Sequence, residues 1–283
     1  MIDWLKTKIL KKKKKFLFFY IDLTQYFNKL MALKYPNKLI KSQLKDTSTI
    51  PIIIINFNQL FYLKQLISFL EQKKTKNIII IDNNSSYLPL LNYYNEINKK
   101  VTIHRLNENL GHLVLWKKRE LFKKYTKGFF VLTDADIVPN SNLKEDYLNG
   151  LLKMLLKHKT KSKVGLALKI DDIPNTFILK ENVINWETKF WISEIEKNVF
   201  DAEIDTTFAL YWPKTDRLIN YLYPSFFNAL RVGGEYIATH GGWYIDHNNL
   251  TEEQKFYFKT ANNSNSWKID NEGNLDGDFK NDY

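Results

Sequence analysis

The chain has 283 residues, 44% of them hydrophobic and 15% aromatic, a formal charge of +11 and no cysteine. This describes a globular chain with a sizeable core, not a disordered one. It also excludes a disulfide scaffold, a thiolate zinc site and a cysteine nucleophile.

The charge invites a nucleic-acid reading, and two observations oppose it. Only four of the 42 basic residues are arginines (Arg105, Arg119, Arg217 and Arg231), yet Arg is the residue that reads bases and phosphates bidentately. The charge is also uneven. Residues 1–46 hold 12 Lys against Asp3, Asp22 and Asp46, a net +9, and the other 237 residues carry only +2. Within that basic extension, residues 1–47, the run Lys11–Lys15 lies beside Trp4, Phe16, Phe18, Phe19 and Tyr20. Its apolar stretch is far short of the roughly 20 residues of a membrane span, and no small-residue cleavage site marks a signal peptide. Residues 1–20 suit an anionic membrane surface, where each nearby Lys contributes about 1 kcal/mol. The alternative is a helix that packs its aromatics on the main domain and leaves the lysines solvated.

From Ser48 onward, apolar runs alternate with helical spacing. Pro51–Ile55 is a β-branched run expected of a strand buried on both faces. Gln59–Gln72 carries Leu60, Leu63, Leu66, Ile67 and Leu70 at helical intervals. Asn77–Asp82 is a second buried strand, and its exit, Asn83-Asn84-Ser85-Ser86, is a turn that caps a helix from about Tyr87 to Asn98. A third strand is expected over Val101–Leu106, a helix over His112–Tyr125, and a fourth strand over Gly128–Thr133. This alternation predicts an α/β fold around a mainly parallel sheet flanked by helices. In such sheets ligands bind at the carboxyl ends of the strands. None of the segments found there is a dinucleotide glycine loop or a phosphate-binding Gly-Lys-Ser/Thr loop.

The fourth strand runs into Asp134-Ala135-Asp136. Two carboxylates one residue apart at a strand end can approach one hard divalent cation, which in turn neutralises a diphosphate. A second such pair, Asp276-Gly277-Asp278, lies in a polar tail; position in the sheet separates the two. Through Pro51–Asn58, Ile79–Ser86, Asn107–His112 and Thr133–Ile137, and on into Val164–Pro174, Ile204–Tyr211 and Thr239–Tyr244, the chain resembles nucleotide-sugar-dependent glycosyltransferases of the GT-A fold, in particular family-2-like bacterial enzymes. The resemblance covers roughly residues 50–267. It implies a GT-A domain over 48–283, with a nucleotide-binding half (48–140) and an acceptor half with a C-terminal tail (141–283).

The same resemblance implies roles. Asn56 and Asn58 would line the nucleotide pocket, together with Asn84. Asp82 would accept from a base N–H, or else merely cap a helix as an Asx-turn. Asn109 and Gly111 would lie against base or ribose. Asp134 and Ala135 would face the donor, Asp134 would also approach the metal, and Asp136 would be the principal metal ligand. His240, ahead of two glycines, would complete the Mn2+ or Mg2+ shell or touch the diphosphate, unless it is structural. Asp205, Glu203 and Glu187 are the candidate catalytic bases, and Trp243 and Tyr244 the candidate acceptor platform. The expectation is a metal-dependent, inverting hexosyltransferase that uses a UDP-linked sugar and a glycan or glycolipid acceptor. It would be cytoplasmic and peripheral at the inner face of the plasma membrane, with no nucleic-acid partner. The rivals are a non-catalytic GT-A-like nucleotide- or glycan-binding protein and a nucleic-acid binder that uses the N-terminal lysines.

Overall fold

In the computed structural model, which describes residues 23–214 and 226–261, the isoleucine runs form two adjacent inner strands of the sheet. Strands β1 (Ile52–Asn56) and β2 (Ile78–Asp82) are buried at every position and pair in parallel, Ile52 with Ile78 through Asn56 with Asp82. Successive side chains alternate between faces. Ile52, Ile54, Ile78 and Ile80 therefore join one apolar cluster, and Ile53, Ile55, Ile79 and Ile81 join the other. Each isoleucine fully buried this way contributes on the order of 1.5–3 kcal/mol. Strand β3 (Thr102–Arg105) adds in parallel to β2, and β4 (Phe130–Asp134) adds in parallel to the other side of β1. The helices Phe61–Gln72 and Leu88–Ile97 supply the crossovers.

Beyond β4 the sheet becomes mixed. Its later strands are β5 (Ile137–Pro139), β6 (Lys163–Leu168), β7 (Glu194–Glu196), β8 (Val199–Asp201), β9 (Ala209–Tyr211) and β10 (Ala229–His240). The full order is β3-β2-β1-β4-β9-β6-β10-β8-β7, with β5 on β10. Strand β9 runs antiparallel between β4 and β6, so β6 keeps the direction of β4. The sheet is thus continuous from Ile52 to His240, an α/β architecture with helices against it.

One sequence expectation is adjusted: the helix His112–Tyr125 is broken at Lys118 into Val114–Lys117 and Arg119–Tyr125. Ahead of β9, residues 205–208 bend, and Asp205, Thr206 and Thr207 line the cleft described below. The polybasic run, the membrane segment 1–20, Arg217 and the Asp276–Asp278 pair lie outside the described residues. Among the described residues, no helix is long and apolar enough to cross a membrane.

Residues 23–34 are helical and lead into the helix Lys38–Lys45, which buries Ile40 and Gln43. The Gln43 amide donates to the Phe129 carbonyl and accepts from the Phe129 N–H, both at 2.8 Å. A Cβ on Gly128 would meet Gln43 Oε1 at 2.3 Å, so glycine there permits this close approach. Gln43→Leu strands both Phe129 groups and is expected to lower the unfolding free energy by about 1–3 kcal/mol in urea melts. An unchanged midpoint would show that the pairing contributes nothing.

Candidate functional site

The parallel register sets Asn56, Asp82 and the end of β4 at one level, since Ile55 pairs with Asp134 and Asn56 with Asp82. There the chain opens a cleft of about 490 Å³. It is lined by Asn56, Asn109, Gly111, Asp134, Ala135, Asp136, Glu187, Glu203, Asp205, His240 and Trp243. Eleven of the residues singled out from sequence thus converge on one space, from segments as distant as Asn56 and Trp243.

Four others stand outside that lining. Asp82 is fully buried: it accepts from the Tyr94 hydroxyl at 3.0 Å and from the Ser85 N–H at 3.1 Å, with Arg105 Nε at 3.6 Å. Asn58, at φ 52°, accepts from the N–H groups of Ser86 and Tyr87 at 2.8 and 3.0 Å. It satisfies orphan donors at the start of the helix Leu88–Ile97 from a distant loop. Asn84 is exposed, whereas its neighbour Asn83 lines the cleft and donates to the Gly111 carbonyl at 3.1 Å. The Tyr244 hydroxyl donates to Asp172, away from the cleft.

The two carboxylates of the Asp-x-Asp segment sit differently. Asp134 Oδ2 accepts from the Thr206 hydroxyl at 2.5 Å. Burial, and then the charges of Asp136 and Asp205, hold its carboxyl well above the usual range, against the opposing effect of Thr206. Asp136 is fixed through its backbone, whose carbonyl accepts from the Gly241 N–H at 2.7 Å. Its Oδ2 lies 3.7 Å from His240 Nδ1. That nitrogen is buried and has no hydrogen-bond partner among the described residues, while its ring stacks on Trp243 at 4.6 Å. A Cβ on Gly242 would come within 3.0 Å of the His240 ring and 3.5 Å of Asp136 Oδ2, so glycine keeps the space between them open.

Among the described residues, no three His, Cys, Asp or Glu side chains converge as a complete ligand set.

The candidate bases line the same cleft. Asp205 is exposed and accepts from the Thr207 N–H at 3.1 Å. Its backbone carbonyl is held from below by the buried Lys163, whose Nζ donates at 2.9 Å to it and to the Tyr211 hydroxyl. Burial pulls the Lys163 ammonium well below its ordinary range, and the Asp205 charge opposes this. Glu203 is also exposed, and its carbonyl accepts from Arg231 Nε at 2.7 Å. Glu187 is buried and ion-paired with Arg231 Nη1 at 2.5 Å. Burial raises its carboxyl, and the guanidinium offsets part of that. The sequence reading missed Arg231, Thr206, Lys163 and Asn83. Each is recruited by long-range pairing, and a polar residue inside or just after an apolar strand was the only local sign.

No protein-family profile matches the chain, and no curated protein matches it. Among solved structures it is similar to the mannosyltransferase PcManGT of Pyrobaculum calidifontis in complex with GDP-Man and Mn2+, at 13% identity and a TM-score of 0.43, covering 88% of this chain and 70% of that one. It is also similar to residues 1–349 of TarS from S. aureus, at 14% identity and a TM-score of 0.36, covering 68% of this chain and 58% of that one. A third is HddC of Yersinia pseudotuberculosis complexed with GMP-PN, at 17% identity and a TM-score of 0.31, covering 46% of this chain and 66% of that one. At this level of similarity, what the chain does must be read from its own cleft.

Removing one partner of the Glu187–Arg231 pair leaves a buried charge uncompensated. Arg231→Met is expected to cost about 3–5 kcal/mol by chemical denaturation, and adding Glu187→Leu is expected to recover most of it. Equal stability of the single and double variants would remove the pair from the structural core.

Proposed function

We propose that the cleft binds a nucleoside diphosphate sugar through a divalent cation and transfers the sugar to a hydroxyl acceptor. The observation that carries this is the Asp136–His240 pair. A buried imidazole nitrogen with no hydrogen-bond partner among the described residues faces a carboxylate across space that Gly242 leaves open, beyond the carboxyl end of β4. When bound there, Mn2+ or Mg2+ would neutralise the diphosphate leaving group. Asp136 and His240 would hold it, and Asp134, tied to Thr206, would face the donor.

Asn56 presents a buried Oδ1 without a partner among the described residues and would accept from the nucleotide. Asn83, Asn109 and Gly111 would form the base and ribose wall. Asp82 is already engaged by Tyr94, Ser85 and Arg105, and it would reach a uracil N–H only by exchanging one of them. We favour a UDP-linked hexose as donor and inversion as the stereochemical outcome. Asp205 would be the base that takes the acceptor proton, because it is exposed at the cleft and its backbone is anchored by Lys163. Glu187, committed to Arg231, would position rather than deprotonate. The acceptor, a glycan or glycolipid, would meet the Trp186 and Phe227 rings at the mouth, with Trp243 behind His240. Residues 1–20 would bring the protein to the inner face of the plasma membrane. A second reading, a non-catalytic nucleotide-binding protein, draws on the incomplete ligand set among the described residues.

Turnover of UDP- and GDP-sugars with Mn2+ separates the two. Asp136→Asn is expected to lower the rate about a hundredfold, equivalent to about 2.7 kcal/mol. Turnover untouched by the change overturns the metal assignment, and nucleotide binding without any turnover favours the binding protein.

A further inference from the structure

The helical residues 23–34 have a docked face and an exposed apolar one. The docked face buries Gln25 and Lys29 and packs Ala32 and Leu33 against the core. The Lys29 ammonium donates to the carbonyls of Lys159, Thr160 and Lys161 at 3.2, 3.4 and 2.7 Å. The other face points away from the body, and there Leu23, Phe27 and Met31, at four-residue intervals, are 52%, 63% and 44% exposed, followed by Tyr35 at 64%. A helix turn carries such a spacing along one stripe. A soluble surface helix would place polar residues at these positions.

The same segment is strongly cationic. Residues 23–45 contain Lys29, Lys34, Lys38, Lys41 and Lys45 and no Asp or Glu, and the four lysines after Lys29 are exposed. Apolar side chains flanked by lysines, with no acidic residue among them, match the two components of an anionic bilayer interface.

The anchoring contacts also fix which side of the protein this is. Gln43 holds Phe129, just before β4 begins, and Lys29 holds Lys161, just before β6 begins. The Asp136–His240 end of the cleft lies at the other ends of these strands, past Asp134 and Leu168, whereas its Phe226–Phe227 end precedes β10, whose Ala229 pairs with Lys163.

We propose that residues 23–45 dock the protein on an anionic lipid surface, with the Asp136–His240 end of the cleft directed away from that surface. This extends the membrane contact proposed for residues 1–20 and does not depend on what the cleft binds.

The test is co-sedimentation of the full chain with phosphatidylserine-containing and pure phosphatidylcholine vesicles. Binding to the anionic vesicles alone, weakened by high salt, is expected. Phe27→Glu with Met31→Glu is expected to lower the bound fraction about tenfold, while the thermal midpoint of the free protein, which reports an intact fold, stays unchanged. Because the chain has no cysteine, Phe27→Cys and Asp171→Cys, the latter at an exposed position just past the end of β6, each take one nitroxide label. Vesicles should shield the label at position 27 and leave that at position 171 open to aqueous relaxation agents. Undiminished binding of the Glu variant overturns the proposal, as does shielding at position 171. A label at position 27 that is shielded before vesicles are added also overturns it, because residues 1–22 or a second copy then cover the face. Gel filtration of the Glu variant tells those two apart.

Discussion

The cleft depends on one constraint, the register that β1 holds with its two parallel neighbours. Because Asn56 lies beside Asp82 and Ile55 beside Asp134, the chain must turn out of three adjacent strands at one level, and the polar residues after each strand meet there. A slip of one residue would send each isoleucine to the opposite face. The isoleucines divide cleanly between two apolar clusters, so such a slip would disrupt both. The hydrophobic effect thus fixes the position of Asp134 and Asp136, which contribute nothing apolar themselves.

Electrostatics follow from that placement. Asp134, Asp136, Glu187, Glu203 and Asp205 all line one cleft, with Arg231 as the fixed cation among them. Burial and mutual repulsion raise the Asp134 carboxyl. Such an arrangement is costly unless a cation or protons compensate it, which is consistent with a metal-bridged anion and poor for a bare one. The lysines that dominate the net charge lie mostly in residues 1–46 of the sequence, none of which lines the cleft. The total of +11 therefore misdescribes the site, whose local charge is negative.

Legibility differed between the halves. Ile52–Ile55 and Ile78–Ile81 could be read because a β-branched run bounded by polar turn residues has few alternatives. In the second half, β5, β7, β8 and β9 have three residues each, too short for a period to register. Strand β10 changes register between Val232 and Ile237, which interrupts its pattern. At the site, Asp134, Asp136 and His240 were visible as polar residues at the ends of apolar runs. Asn58 was visible as a polar residue but not as a cap, because its partners Ser86 and Tyr87 come from another loop. Asn83 was passed over for Asn84, since the direction of a turn residue depends on backbone dihedrals, and Asn84 has a φ of 64°. The Glu187–Arg231 pair joins a helix to a strand 44 residues away, a distance no local pattern spans.

The most direct measurement is a calorimetric titration of UDP and GDP into the native chain and Asp136→Asn, with and without Mn2+. A metal-bridged site predicts binding by the native chain that requires Mn2+, prefers one base and is lost or strongly weakened in Asp136→Asn. Equal affinity with and without Mn2+, or no binding of either diphosphate, would contradict it.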